Sequence, residues 1–377
     1  MELSKQILNY IDQHQDEAFQ LLIELAKIPA PSNHEEKRAE FCKSWLEKHG
    51  AKDVYIDEAL NVVYPVSYTD NNPLIVFMAH SDVVFPDTGE LPLTIENGRI
   101  ICPGVGDDTA NVVALLMAAK YIAQHDLQLC NCGMLIVINS GEEGLGNLKG
   151  SRKIMEAFGD RIREFFSFDG DNCKATNHAV GSKRYRIEIL TEGGHSYGKF
   201  GNRNAIVYLS SLIQTLYTMK VPESSKTTYN VGIIKGGTSV NTIAQQAEML
   251  YEFRSDQQEA MKIMENHFNA AVNLYRSKGI QVNLDLLGDR PCSGDVDPVK
   301  EKILMDRISV AVRRHFDQDD EFGSASTDCN IPLSLGIPSI CVGCQNGGGA
   351  HTRAEYVEID SLLPGLRLAF DLILHYF

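Results

Sequence analysis

Five short segments of the chain place histidines or carboxylates directly after runs of apolar residues or glycines. In Leu74-Ile-Val-Phe-Met-Ala-His80-Ser-Asp82 an apolar run closes on His-x-Asp, and that spacing on an extended backbone points both side chains the same way. His80 is a candidate metal ligand there, and Asp82 a carboxylate able to orient its imidazole. Gly104-Val-Gly106-Asp107-Asp108-Thr109 puts paired acids where a helix begins, a place that also suits plain capping charges. Ile138-Asn-Ser-Gly141-Glu142-Glu143-Gly144 sets adjacent glutamates after another apolar run. Crowded carboxylates repel, and a cation or a raised pKa relieves them. Phe166-Ser-Phe168-Asp169-Gly170 closes one more run on an acid, and Gly347-Gly-Gly-Ala-His351-Thr leads a glycine-rich segment into a histidine. Singly, each segment also reads as an ordinary solvated loop. Together they match the nitrogen-and-oxygen donor set of a dinuclear zinc site, whose ions stand about 3.5–4 Å apart with a bridging oxygen ligand. Five ligands leave room for a bridging water or hydroxide, and a spare carboxylate is then needed to take its proton.

The elements between these segments set where they meet. Residues 3–28 read as a helix stopped by Pro29 and Pro31, and Ser32 with Glu35 offers a capping box for a second helix ending near Gly50. Short strands follow at Val54–Ile56, Val62–Tyr68 and Leu74–Ala79, and Asn97-Gly98 marks a hairpin. Thr109–Gln124 (helix), Met134–Asn139 (strand), Asn147–Phe158 (helix) and Phe165–Phe168 (strand) then alternate, which predicts a largely parallel sheet covered by helices. Ligands in such sheets bind beyond the carboxyl ends of the strands. After Gly181 the order becomes strand, helix, strand, strand, helix, strand, with Tyr185, Ile187 and Ile189 alternating with Arg184, Arg186 and Glu188. That is a ferredoxin-like βαββαβ unit inserted into the first domain. From Pro298 the first rhythm resumes: two helices, a strand at Ser339–Val342 and a final helix Leu362–Phe377. The expected architecture is α/β, with residues 1–181 and 289–377 in one domain and 182–288 in the inserted one; 377 residues suit two domains.

A formal charge of −15 argues against nucleic acid as a partner. The amphipathic, acid-bearing N-terminal stretch lacks the apolar block of an export signal, and no apolar run approaches the ~20 residues of a membrane span. Nine scattered cysteines suit reduced thiols and a cytoplasmic setting. Cys341-x-x-Cys344 lacks the second pair that a structural zinc site wants.

In combination, the five segments resemble those of the dinuclear zinc peptidases and deacylases that include peptidase T, carboxypeptidase G, acetylornithine deacetylase, succinyl-diaminopimelate desuccinylase and aminoacylase. The resemblance spans nearly the whole chain and is nearest to the peptidase-T-like branch around Val231–Ala244 and Asn346–Glu358. It implies that His80 and Asp169 hold one zinc, Glu143 and His351 the other, and that Asp107 bridges them. It further implies a cis Asp107–Asp108 peptide, Asp82 behind His80, and Glu142 as general base. Gly193-Gly194-His195-Ser196 is similar to the family's lid histidine, which serves the neighbouring subunit of a homodimer. Gly236-Gly237-Thr-Ser-Val-Asn241 and Glu252-Phe-Arg254 are similar to segments whose Asn241 and Arg254 hold a substrate carboxylate. Thr109-Ala110 and Gly141 depart from the Lys-Gly and Asp that many members carry, and neither is a ligand.

The function expected is hydrolysis of the amide bond of short peptides by a hydroxide bridging two Zn2+, with Co2+ or Mn2+ as substitutes. Deacylation of N-acyl amino acids on the same site is the alternative. A rival reading takes Gly194-His195-Ser196-Tyr197-Gly198 as a nucleophile elbow, with Asp328 and His351 completing a triad, but the sequence around it does not supply the required strand running straight into a helix.

Overall fold

The computed structural model describes residues 2–171, 174–319 and 321–377. The chain forms two compact units, one made of the residues up to Ala179 and from Gly294 onward, the other of Val180–Ser293.

The larger unit is built on an eight-stranded sheet in the spatial order Tyr55–Ile56, Val62–Val66, Gly133–Asn139, Leu74–His80, Ile162–Ser167, Ser339–Cys341, Lys174–Ala179, Glu321–Ala325. The four strands from Gly133–Asn139 to Ser339–Cys341 run parallel to one another, so their carboxyl ends share one edge. Leu74–His80 is buried along its whole length. Its side chains alternate between two cores, Ile75, Phe77 and Ala79 on one face and Leu74, Val76 and Met78 on the other. The helix Ala110–Gln124 packs on the first face and is apolar almost all round, as suits a helix enclosed on every side. A separate small sheet pairs Gly347–Gly348, Tyr356–Glu358, Arg99–Ile101 and Thr94–Glu96. Its Asn97-Gly98 turn takes φ +52° and +75°, the left-handed pair a two-residue hairpin needs.

The smaller unit is an antiparallel sheet in the order Thr227–Gly236, Gln246–Ser255, Gly181–Leu190, Gln281–Arg290, with helices Ala205–Leu216 and Gln258–Ser277 on one face. Ile187, Ile189, Met249 and Phe253 meet Leu209, Leu212 and Phe268 in its core. The alternate residues Arg184, Glu252 and Arg254 lie on the other face.

Three expectations are corrected. The first helix is two, Lys5–Gln13 and Gln15–Ala26; His14 leaves helical geometry at φ −111°, ψ 10° and turns its ring onto Tyr10. Between Pro298–Phe316 and the strand Ser339–Cys341 stand an edge strand, Glu321–Ala325, and only a short helix, Asn330–Ser334. The strand was hidden because Glu321-Phe-Gly-Ser-Ala has little apolar alternation. Lys174–Ala179 is a further strand before the insertion, and its mostly polar residues carry no strand pattern in the sequence. Among the described residues no helix is long and apolar enough to cross a membrane.

Phe77 is fully buried and stacks on Phe166 with ring centroids 4.7 Å apart. Phe77→Ala should destabilise the larger unit by about 3–5 kcal/mol in a denaturant titration.

Candidate active site

Three neighbouring strand ends and two flanking segments converge. His80 closes its strand in register with Asn139. Its Nε2 lies 3.0 Å from Asp107 Oδ1 and 3.8 Å from Asp169 Oδ1. His351 Nε2 lies 3.1 Å from Asp107 Oδ2 and 3.1 Å from Glu143 Oε1. The two oxygens of one carboxylate thus face two different histidines. Donor atoms of His80, Asp107 and Glu143 lie within 4.8 Å of one another, as do those of His80, Asp108 and Asp169. Asp108 is held by other groups: its Oδ2 accepts the His80 backbone N–H at 2.9 Å, and its Oδ1 accepts from Asn111 at 2.6 Å. The Asp107–Asp108 peptide is cis.

Buried carboxylates hold the loops beneath. Asp82, 0% exposed, stands 3.4 Å from His80 Nδ1, farther than its own main-chain oxygen at 3.1 Å. Its closer partners are Glu142 N at 3.0 Å, Glu143 N at 2.9 Å and Ser32 Oγ at 2.7 Å. Asp82 therefore does more than back an imidazole; it fixes the double-glutamate loop. The capping box expected of Ser32 and Glu35 does not form, and no side chain caps the helix Glu36–Lys48. Ser32 turns to Asp82, while Glu35 is buried and accepts from Asn33 N at 2.8 Å, Gly141 N at 3.0 Å and Lys149 Nζ at 2.9 Å. Three successive N–H groups, 141 to 143, thus point at carboxylates. Gly141 has φ +66°, and a Cβ there would sit 2.5 Å from the Lys149 stem, so glycine is required.

The charges explain what the site can hold. Burial, opposed by the His351 hydrogen bond and helped by Asp107 and Glu142, pushes Glu143 up to about 7. Burial and then Asp107 raise Asp169 well above the carboxylate range. Hydrogen bonds to Asp107 and Glu143 lift His351 to about 10. Burial opposes a charge on His80, yet Asp108, Asp107 and Asp82 raise it too. Asp107 stays well below the usual range despite burial, because both histidines bond to it. Asp328, which bonds Asn139 Nδ2 at 2.6 Å, is pushed up to about 8 by burial and then by Glu142; its Oδ1 has no hydrogen-bond partner among the described residues. So many acids in one buried place call for positive charge. Imidazole nitrogens and carboxylate oxygens on both sides of one shared carboxylate fit a pair of divalent cations.

In the smaller unit, His195 is exposed on a two-residue strand against Thr242–Ile243, and its Nδ1 accepts from Tyr197 N and Gly198 N at 3.3 Å each. Asn241 is beside it, its carbonyl accepting from Ser196 N at 2.9 Å. Arg254 is elsewhere. It grips Glu252 through Nε and Nη2 at 3.0 Å each, at the far end of Gln246–Ser255. Eight steps of ~3.3 Å put it about 26 Å from the Asn241 end. One chain's Asn241 and Arg254 therefore do not hold one carboxylate together, because they sit at opposite ends of the strand. Ser196 follows a short exposed strand and enters a turn, not a helix, so no nucleophile elbow exists. Asp328 bonds Asn139, and His351 bonds Asp107 and Glu143, so neither is arranged for a triad.

Residues 76–375 match the model of peptidase family M20/M25/M40. The chain belongs to this family. It is a metallopeptidase-class hydrolase built on the family's α/β fold. YqjE of Bacillus subtilis (strain 168) is 24% identical over 93% of this chain and 96% of its own length. Acetylornithine deacetylase of Myxococcus xanthus is 25% identical over 77% and 76%. A tripeptidase of Staphylococcus aureus subsp. aureus Mu50 superposes with a TM-score of 0.76 at 21% identity, covering 96% of this chain and 98% of that one.

Sequence reading missed Glu35 and Asn139 as parts of the site, because Glu35 stands among other polar residues and Asn139 is one amide at a strand end. Asp82→Asn leaves several N–H donors facing an amide with one acceptor oxygen. It should cost about 3 kcal/mol in chemical denaturation, against less than about 1 kcal/mol for Asp87→Ala, whose pairing with Arg353 is at the surface.

Proposed function

We propose that the chain is a di- or tripeptidase that acts with two divalent cations, Zn2+ foremost and Co2+ or Mn2+ as substitutes. The observation that carries the reading is Asp107, with oxygens 3.0 Å from His80 and 3.1 Å from His351. His80 and Asp169 would hold one ion and Glu143 and His351 the other, with Asp107 between. Bound cations would supply the charge that lowers the pKa of water and stabilises an oxyanion. Glu142, 5% exposed beside these residues, takes a proton from the attacking water and returns it to the leaving amine. The partner subunit's His195 donates to the carbonyl oxygen as negative charge develops, and Arg254 together with the partner subunit's Asn241 orients the substrate carboxylate.

The ends of the smaller sheet support a homodimer. His195 and Asn241 share one end and Arg254 occupies the other, so one copy of this unit does not bring all three to one substrate, and a second copy supplies what the first lacks. The edge strand Thr227–Gly236 exposes Ile233 and Ile234, a row suited to pairing with a second copy. The larger unit thus serves as the catalytic domain and the smaller as the lid and dimerisation domain. Eight free cysteines among the described residues fit the cytoplasm. The likeness to acetylornithine deacetylase favours a second reading, in which the acyl group of an N-acyl amino acid replaces the first residue of the peptide.

A panel of di- and tripeptides against N-acetyl and N-succinyl amino acids separates the two, and a chelator should stop either activity. Glu142→Ala should abolish turnover with zinc content near normal, whereas Glu143→Ala should lose zinc; equal zinc loss in both would overturn the division of roles. Mixing Glu142→Ala with His195→Ala subunits should restore one working site per mixed dimer. No recovery, with exchange confirmed, would sink the trans role of His195.

A further inference from the structure

The turn Val105–Thr109, which opens the helix Ala110–Gln124, is tied to a residue far along the chain. Glu355 is 2% exposed, and its carboxylate accepts Gly104 N at 2.9 Å through Oε2 and both Gly106 N and Asp107 N at 2.8 Å through Oε1. No side chain of the turn caps it. Gly104 enters it at φ +73°, and a Cβ there would sit 2.2 Å from Val83 Cγ1, so glycine is required. Asp107 itself leaves helical geometry at φ −113°, ψ 83°. The N–H groups at this helix start would otherwise lack acceptors.

Four residues before Glu355 stands His351, whose Nε2 is 3.1 Å from Asp107 Oδ2. One segment therefore grips Asp107 twice, at its backbone through Glu355 and at its carboxylate through His351. The segment is anchored in turn, since Cys102 N donates to Glu355 O at 3.0 Å and Tyr356–Glu358 pairs with Arg99–Ile101. Gln345 Nε2 closes the far side, donating to Gly106 O at 3.4 Å and Gly170 O at 3.0 Å.

We propose that Glu355 is a positioning residue for Asp107: by clamping the backbone of residues 104–107 it holds the shared carboxylate between the two histidines and so sets the affinity of the two-cation site. The inference rests on the proposed metal site and adds to it a residue that touches neither cation nor substrate. Charge-assisted bonds to successive N–H groups are stronger and shorter than neutral ones. A glutamine offers one acceptor oxygen and turns an NH2 group towards the remaining donors. An aspartate keeps the charge but is one methylene short.

The test compares the full-length parent with Glu355→Gln and Glu355→Asp. Zinc affinity is read by competition with a chromophoric chelator, and amide hydrogen exchange of residues 104–107 is read in the metal-free protein. Circular dichroism and thermal melting report the fold. Glu355→Gln should keep the fold, lose about 10–100-fold in affinity for at least one zinc, and exchange faster at 104–107 while Leu74–His80 stays protected. Glu355→Asp should fall between. Parent-like zinc binding in folded Glu355→Gln would overturn the proposal. So would a uniform rise in exchange across the larger unit, or loss of fold in both variants, each marking a general structural role. A parent that takes up no zinc would instead sink the functional reading, and the exchange comparison would still decide whether Glu355 holds Asp107.

Discussion

Negative charge gathered at the edge of a buried sheet is the constraint on which the rest of this structure depends. Asp82, Asp107, Asp108, Glu142, Glu143, Asp169 and Asp328 lie within one buried or nearly buried region. Removing a carboxylate from water is costly unless hydrogen bonds or opposite charge replace the lost hydration. The chain meets that cost in two ways. Asp82 and Asp108 accept backbone N–H groups and neighbouring side chains, and so act as struts. Asp107 and Glu143 meet imidazoles, and so face the place where cations fit.

The same arrangement explains why the loops are short and irregular yet well defined. A loop that leaves a strand end has N–H groups without sheet or helix partners. Here those groups are the partners of the buried acids: Glu142 N and Glu143 N for Asp82, Gly141 N for Glu35, and Gly104 N, Gly106 N and Asp107 N for Glu355. Each loop satisfies an acid, and each acid fixes a loop. Arg38 extends the principle with positive charge. Fully buried, it donates to Ile28 O, Ser81 O and Thr109 Oγ1, tying the entry to the helix Glu36–Lys48 to the His80 and Asp107 segments.

The smaller unit follows different physics. One face of its sheet is apolar and covered by helices, and the other carries cross-strand ion pairs such as Arg186–Glu248 and Arg184–Glu252. Half-wet antiparallel sheets permit this division, whereas the parallel strands of the larger unit must be apolar on both faces. Polar side chains can therefore be presented at either end of the smaller sheet without a buried charge being left unpaired. His195 and Asn241 stand at one such end.

The sequence by itself determined the alternation of strand and helix, the parallel sheet, the inserted βαββαβ unit and the segments that end in His80, Asp107, Glu143, Asp169 and His351. These are local signals: apolar runs, their period, and a polar residue at the point where the run stops. Tertiary structure alone decided that Ser32 and Glu35 serve the Asp82 and Gly141 loops instead of capping a helix, that Glu355 holds the Asp107 turn, and that Asp328 bonds Asn139 and forms no triad. The reason is that a buried acid's partner is a common polar side chain or a backbone N–H, which every residue except proline carries. Nothing in the sequence marks which N–H, tens or hundreds of residues away, the fold will bring within 3 Å. Arg254 and Asn241 show the same limit, since a motif names both residues and only the strand register reveals that they lie at opposite ends of one sheet.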